Sequence, residues 1–334
     1  MFTLYLTETP SILKADSKNF QIFKQQKIFR KIPIESVKQI ILFPGVQVSR
    51  QSENAVKHYR IPILFIAEQG QILVHCDRGK PLSGKHIDRQ KQCQQDQAFS
   101  RAFARTLLRA KIHNRQTILL QSLTSNTYCL AIRQALDKLT LLKGDLPSAK
   151  TVQTLWRIEK QASYFYRRAF PFLLPDSFQI QPSPTLPRNS SVNTLLNLGY
   201  AFLSQSLYHL ITRSGLDPEI GHFHTSCSNH TPLVCDLMEQ FRPQLVEELI
   251  VESLHFRQLT REDFIENDTR DHGLLSPLGI AKFIDCWESK LQTIVCHWLA
   301  GNMTYHQALE WQVQQYISHL QGASDSYLPL LMKW

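Results

Sequence analysis

The chain has 334 residues, 43% hydrophobic and 19% charged, with a net charge of +9, a balance that excludes an intrinsically disordered protein. No apolar run approaches the ~20 residues of a membrane span, and the opening MFTLYLTETP lacks a signal peptide's basic start and apolar core, so a cytoplasmic protein is expected. Seven cysteines, an odd count without a CxxC pair, argue against a disulfide framework.

At this length two domains are expected. The first stretches predict strands: FTLYLT, VKQIILF, IPILFIA and QILVHC are rich in Ile, Leu, Val and Phe and are parted by turn residues. One brief helix is expected near Gln51–Tyr59. RGKPLSGKHIDRQ is a polar break with Gly and Pro, which gives a β-rich domain over 1–78, a linker over 79–95 and an α-helical domain over 96–334. The fold class is therefore α+β. Helices are expected in QDQAFSRAFARTLLRAKIHNRQTILLQSL, in CLAIRQALDKLTLLK and in TVQTLWRIEKQASYFYRRAF. A Pro- and Ser-rich loop, LLPDSFQIQPSPTLPRNSS, precedes a strongly apolar helix that Ser191 would cap and Gly215 would end. Two further stretches, PLVCDLMEQFRPQLVEELIVESLH and SPLGIAKFIDCWESKLQTIVCHWLA, read as helices, the latter as one or two.

The basic excess is local. From Arg78 to Arg115 ten Lys/Arg stand against two acids, Asp88 and Asp96. Arg101, Arg105 and Arg109 recur every four residues and share one helical face. Such a stripe is either a phosphate-contacting surface or a solvated face.

Three features carry candidate chemistry. Glu159 has Leu155, Ala162 and Tyr166 as helical neighbours, so its carboxylate needs a cation or hydrogen bonds, or else it pairs at the helix edge with Arg157 or Arg168. Asp236 and Glu239 share a face at i and i+3, with His224 upstream; two oxygens and one imidazole suit magnesium or manganese. The same span offers His222, His224, Cys227, His230 and Cys235 to zinc, at a spacing that matches no common finger. On the apolar helix, Asn193, Asn197, Tyr200 and Ser204 form a polar stripe, either a seam between helices or the floor of a polar site.

WRIEKQASYFY, NTLLNLGY, GLDPEIGHFH and LVCDLMEQFRP occur in this order and at intervals that resemble the CRISPR-associated adaptation integrases, the first-numbered Cas protein family; the strand-rich start and the late ISHLQGASDSYLPLL extend the likeness over nearly the whole chain. The resemblance implies a β-rich dimerisation domain, an α-helical catalytic domain and a metal-dependent DNA endonuclease and integrase. It implies a homodimer, double-stranded DNA as partner and substrate, and a small second-numbered Cas protein in the complex. By motif register Glu159, His224 and Glu239 would be the catalytic metal ligands for Mg2+ or Mn2+, with Asp236, Asn193 and Tyr200 in support. Arg101, Arg105, Arg109 and Arg242 would hold the duplex. The sequence differs from the family's habit at Arg157, where a small residue is usual, and at His222, where an apolar one is. Two alternatives stand beside this reading: a casposon-type transposase of the same fold, and a non-catalytic DNA-binding module with a structural zinc.

Overall fold

A computed structural model describes residues 2–8, 10–75, 84–123, 129–180, 190–224, 231–265, 273–324 and 326–333. The chain opens with strands β1 (Phe2–Leu6), β2 (Ser11–Ala15), β3 (Asn19–Lys24), β4 (Lys27–Pro33), β5 (Val37–Leu42) and β6 (Val46–Val48), then helix α1 (Arg50–Tyr59) and strands β7 (Ile63–Ile66) and β8 (Ile72–His75). The helical part comprises α2 (Ile87–Gln95), α3 (Gln97–Leu123), α4 (Leu130–Asp145), α5 (Val152–Ala169), α6 (Ser191–Arg213), α7 (Pro232–Met238) and α8 (Glu248–His255). A two-strand pair, β9 (Phe264–Ile265) and β10 (Leu274–Leu275), precedes α9 (Pro277–Gln292). Strands β11 (Ile294–His297) and β12 (Gly301–Thr304) and helix α10 (Tyr305–Leu320) complete it. The α+β class is as the strand and helix patterns indicate.

Two four-stranded sheets, ordered β1-β5-β7-β8 and β4-β3-β2-β6, build the N-terminal part. Strand alternation ties this part to the rest. Ile40 and Leu42 of β5 and Ile63 of β7 face the core between the sheets. Their neighbours Ile41, Leu64 and Ile66 face the large core of the helices. Successive side chains on a strand point oppositely, so one sheet is buried on both faces.

Several elements differ from expectation. The stretch from Ser11 to Pro33 forms three strands, whose turn at Gln25 and Gln26 adopts positive φ (46° and 63°) without the Gly or Asn that marks such turns. The described part of the 79–95 segment contains α2, which packs on α3. Past Gln292 the chain forms the β11–β12 hairpin rather than more helix. The cap of α6 is Ser190, which accepts the Asn193 N–H at 3.2 Å, one residue before the expected Ser191. Gly215 does follow that helix, at φ 77°.

Between α7 and α8 the residues Arg242–Glu247 form a π-helical segment. Pro243 has no N–H to continue an α-helical ladder and would crowd the carbonyl one turn back. The wider turn relieves that clash, and the Gln240 carbonyl it frees accepts from Asn114 Nδ2 at 2.8 Å and Gln244 Nε2 at 3.1 Å. Gly199 of α6 lies against this segment so closely that a Cβ would stand 2.6 Å from Val246 Cγ1. Among the described residues no helix is long and apolar enough to cross a membrane.

Candidate active site

Helices α3, α5, α6 and α7 and the π-helical segment enclose a cleft of about 470 Å3 lined by Lys111, Glu159, Asn193, Tyr200, His224 and Glu239 among others. Long, well-capped helices set these positions. Thr151 caps α5 by accepting the Thr154 N–H at 3.1 Å, and the apolar face that follows (Leu155, Ile158, Ala162) carries Glu159 to the cleft edge.

The turn at Gly221–His224 is held by one carboxylate. Asp236, fully buried, accepts the backbone N–H groups of His222 (2.7 Å), Phe223 (3.1 Å) and His224 (2.8 Å). It also accepts from His224 Nδ1 at 2.7 Å. That bond leaves His224 Nε2 as the free acceptor, 3.7 Å from Glu239 Oε1. Gly221 lets the turn approach α7, since a Cβ would lie 2.7 Å from the His224 carbonyl oxygen. Trp156 closes the turn from α5: its indole N–H donates to the Phe223 carbonyl at 3.0 Å, and its ring meets His224 edge-on at 4.9 Å.

Glu159 and Glu239 meet through a cation that sequence reading left in the basic run. Lys111 Nζ is 2.7 Å from Glu159 Oε1 and in direct contact with Glu239 Oε2. Ser163 Oγ also donates to Glu159 Oε1, at 2.7 Å, and Arg115 donates to Ser163 at 2.9 Å. Burial alone would raise the Glu159 pKa; the charge and hydrogen bond of Lys111, with Ser163 and Arg115, instead hold it down at about 2. Glu239 follows the same pattern: burial opposes ionisation, and Lys111, Arg242 and His224 outweigh it. Neither Arg157 nor Arg168 is the partner of Glu159; Arg157 is exposed, and Arg168 donates to Tyr164 OH at 2.9 Å.

A second buried network backs the first. Arg115 makes a fork to Glu247, Nη2–Oε1 at 2.7 Å and Nε–Oε2 at 3.2 Å, and Tyr200 OH donates to Glu247 Oε1 at 3.0 Å. Arg242 stacks on Tyr200 at 4.9 Å and lies 3.5 Å from Glu239 Oε1. The sequence signal for Lys111, Arg115 and Glu247 was there: charged residues sit at core spacing on apolar helices, where each requires an opposite charge.

The structure thus brings Glu159, His224, Glu239, Asp236, Asn193, Tyr200 and Arg242 together around one cleft. It leaves His222 out. That ring is buried among Phe99, Phe103 and Tyr316 and bonds Tyr316 OH through Nε2 at 2.8 Å. Arg101, Arg105 and Arg109 lie outside the cleft lining. Arg101 and Arg105 donate to the carbonyls of Lys150 and Ala149, each at 3.0 Å, and Arg109 is exposed. Cys227 and His230 lie outside the described residues, and Cys235 packs inside α7.

As placed, no group of three His, Cys, Asp or Glu among the described residues is gathered closely enough to hold a metal ion. The donor chemistry nevertheless fits a hard divalent cation: two buried carboxylates converge on one positive charge, with an imidazole Nε2 beside them.

A protein-family model described as CRISPR associated protein Cas1 matches residues 4–289. The chain is 31% identical over 186 residues to "CRISPR-associated endonuclease Cas1 3" of Thermus thermophilus, an alignment covering 55% of each, so it spans about half the length of that relative. Among solved structures it is similar to a chain of a "Cas6-RT-Cas1--Cas2 complex", with a TM-score of 0.88 and 22% identity, covering 100% of this chain and 36% of that one. It is also similar to a "Casposase bound to integration product", with a TM-score of 0.78 and 17% identity, covering 99% and 93%. At these identities the two structures speak to the fold.

Proposed function

The chain belongs to the CRISPR-associated Cas1 family, and from that premise we propose that it is a metal-dependent DNA endonuclease and integrase that joins a DNA 3′ hydroxyl to repeat DNA by transesterification. The observation that carries the reading is the meeting of Glu159, His224 and Glu239, from three separate segments, at one buried point. These three would hold Mg2+ or Mn2+. Such an ion supplies electrophilic polarisation of the scissile phosphate and lowers the charge barrier to attack.

The chain's own groups do the rest. Asp236 fixes the His224 ring so that Nε2 faces the cleft, and Trp156 blocks the ring from swinging. Ser163 and Arg115 orient Glu159 from behind. The cleft lining carries Lys111, Arg115, Arg167 and Arg242 against Glu159, Glu239 and Glu247, a balance that favours a polyanion once a divalent ion is added. Arg242 and Tyr200 lie on the wall where a backbone phosphate would pass. Homologues named endonucleases, and a relative's structure titled with a Cas2 partner, support double-stranded DNA, a second copy and a small second-numbered Cas protein as partners.

The test is an integration assay with purified protein, short duplexes and a supercoiled repeat plasmid, in Mn2+ and in chelator. Metal-dependent joining at the repeat supports the reading; no joining with any partner or metal overturns it. The likeness to a casposase keeps a second reading, a transposase of the same fold. It predicts joining that does not prefer the repeat.

A further inference from the structure

Lys111 stands where the metal reading, on which this inference rests, needs a metal. Its ammonium touches both carboxylates of the proposed ligand set, and its side chain is only 7% exposed, against 14% for Glu159 and 5% for Glu239. A buried ammonium and a divalent ion cannot both sit against the same pair of oxygens, because like charges at such range repel strongly where water is scarce. One of them must move.

The backbone beneath Lys111 is pinned. Three residues on, Asn114 Nδ2 donates to the Gln240 and Leu330 carbonyls, at 2.8 and 3.1 Å, and four residues on, Arg115 grips Glu247. Movement is therefore left to the flexible Lys stem, and the cleft of about 470 Å3 gives it room. We propose that Lys111 is a built-in placeholder cation, displaced by a divalent ion from between Glu159 and Glu239, whose freed ammonium then takes a phosphate oxygen of the DNA substrate. The arrangement lets two buried carboxylates fold beside each other without a metal, and it delivers a positive charge to the substrate only after the metal is in place.

The experiment uses the full-length protein, stripped with chelator, and Mn2+ as the probe. Calorimetric titration compares the wild type with Lys111→Met and Lys111→Gln. Both variants are expected to bind Mn2+ at least about tenfold more tightly, and to melt at lower temperature in chelator with the gap narrowing in Mn2+. In the wild type, amine labelling of Lys111, read by mass spectrometry, should rise when Mn2+ is added. Lys111→Gln should weaken binding of a duplex that lacks a 3′ hydroxyl in Mn2+, but not in chelator. Variants that bind Mn2+ no more tightly than a wild type that does bind it, or labelling unchanged by Mn2+, overturn the placeholder role alone. Mn2+ binding by Glu159→Gln and Glu239→Gln equal to wild type, or no binding by any chain, overturns the metal reading and the placeholder with it.

Discussion

The Asp236 carboxylate holds the His224 ring through Nδ1 at 2.7 Å while accepting three backbone N–H groups of the same turn. Ring tautomer and turn geometry therefore depend on one buried charge. Asp236→Asn keeps the shape but replaces an acceptor oxygen with a donor. It should cost about 1–3 kcal/mol of stability and lower Mn2+ affinity roughly 10- to 100-fold. Denaturant melts and calorimetry check this; unchanged Mn2+ affinity would remove Asp236 from its positioning role.

Glu159→Ala, His224→Ala and Glu239→Ala should each abolish Mn2+-dependent integration. Glutamine variants at the two carboxylates separate chemistry from folding, since they retain volume and hydrogen bonds next to Lys111. Near wild-type integration by any of the three, with folding confirmed by circular dichroism, would sink the ligand assignment.

His222 and His224 provide an internal contrast. His222 sits inside a ring cluster of Phe99, Phe103 and Tyr316, so Phe fits its surroundings and loses mainly the bond to Tyr316 OH. His222→Phe should keep integration within a fewfold of wild type, whereas His224→Phe should eliminate it. Side-by-side Mn2+ titrations decide. Loss in His222→Phe alone would move the ligand by two residues.

The arginine stripe should divide. Arg101 and Arg105 hold the carbonyls of Lys150 and Ala149, so their alanine variants should each lose about 1 kcal/mol of stability. Exposed Arg109 should act on DNA alone: Arg109→Ala should weaken binding alike for unrelated sequences and reduce the salt slope by about 1. An unchanged slope would mark Arg109 as a solvated surface charge.

His209 gives the pH dependence a sign. Burial first, then the positive charges of Lys38, Arg213 and His306, lower its pKa to about 4. The unfolded chain takes up this proton near pH 6.5 and the folded chain only near 4, so stability present above 6.5 is lost as pH falls through that window, by up to about 3 kcal/mol. His222, held near 4 mainly by burial, adds a component of the same sign. His209→Gln should therefore flatten, but not abolish, the decline in melting temperature from pH 6.5 to 4. A decline as steep as wild type would show that His209 is protonated in the fold.

The carboxylates of the cleft were legible because spacing is local: Asp236 and Glu239 share a helical face, and Glu159 lies on an apolar one. Their cations were not, because Lys111 and Glu159 are 48 residues apart and only packing joins them. Net charge counted Lys111 and Arg115 among surface cations, although both are buried. Strands β2 to β4 escaped notice for a related reason. Lysines interrupt their apolar runs, and a Gln-Gln turn gives no glycine signal.

The turn that Pro243 widens has a consequence for how this chain can change length. On a regular α-helix, Glu239 and Glu247 would be about 80° apart in azimuth; wider turns advance fewer degrees per residue, and here both carboxylates reach the same cleft. Deleting one residue between them would let the helix tighten but would rotate everything after it, carrying Glu247 away from Arg115. Insertions and deletions that surface loops absorb freely would here break a charge pair. Relatives that keep both carboxylates should therefore keep the number of residues between them.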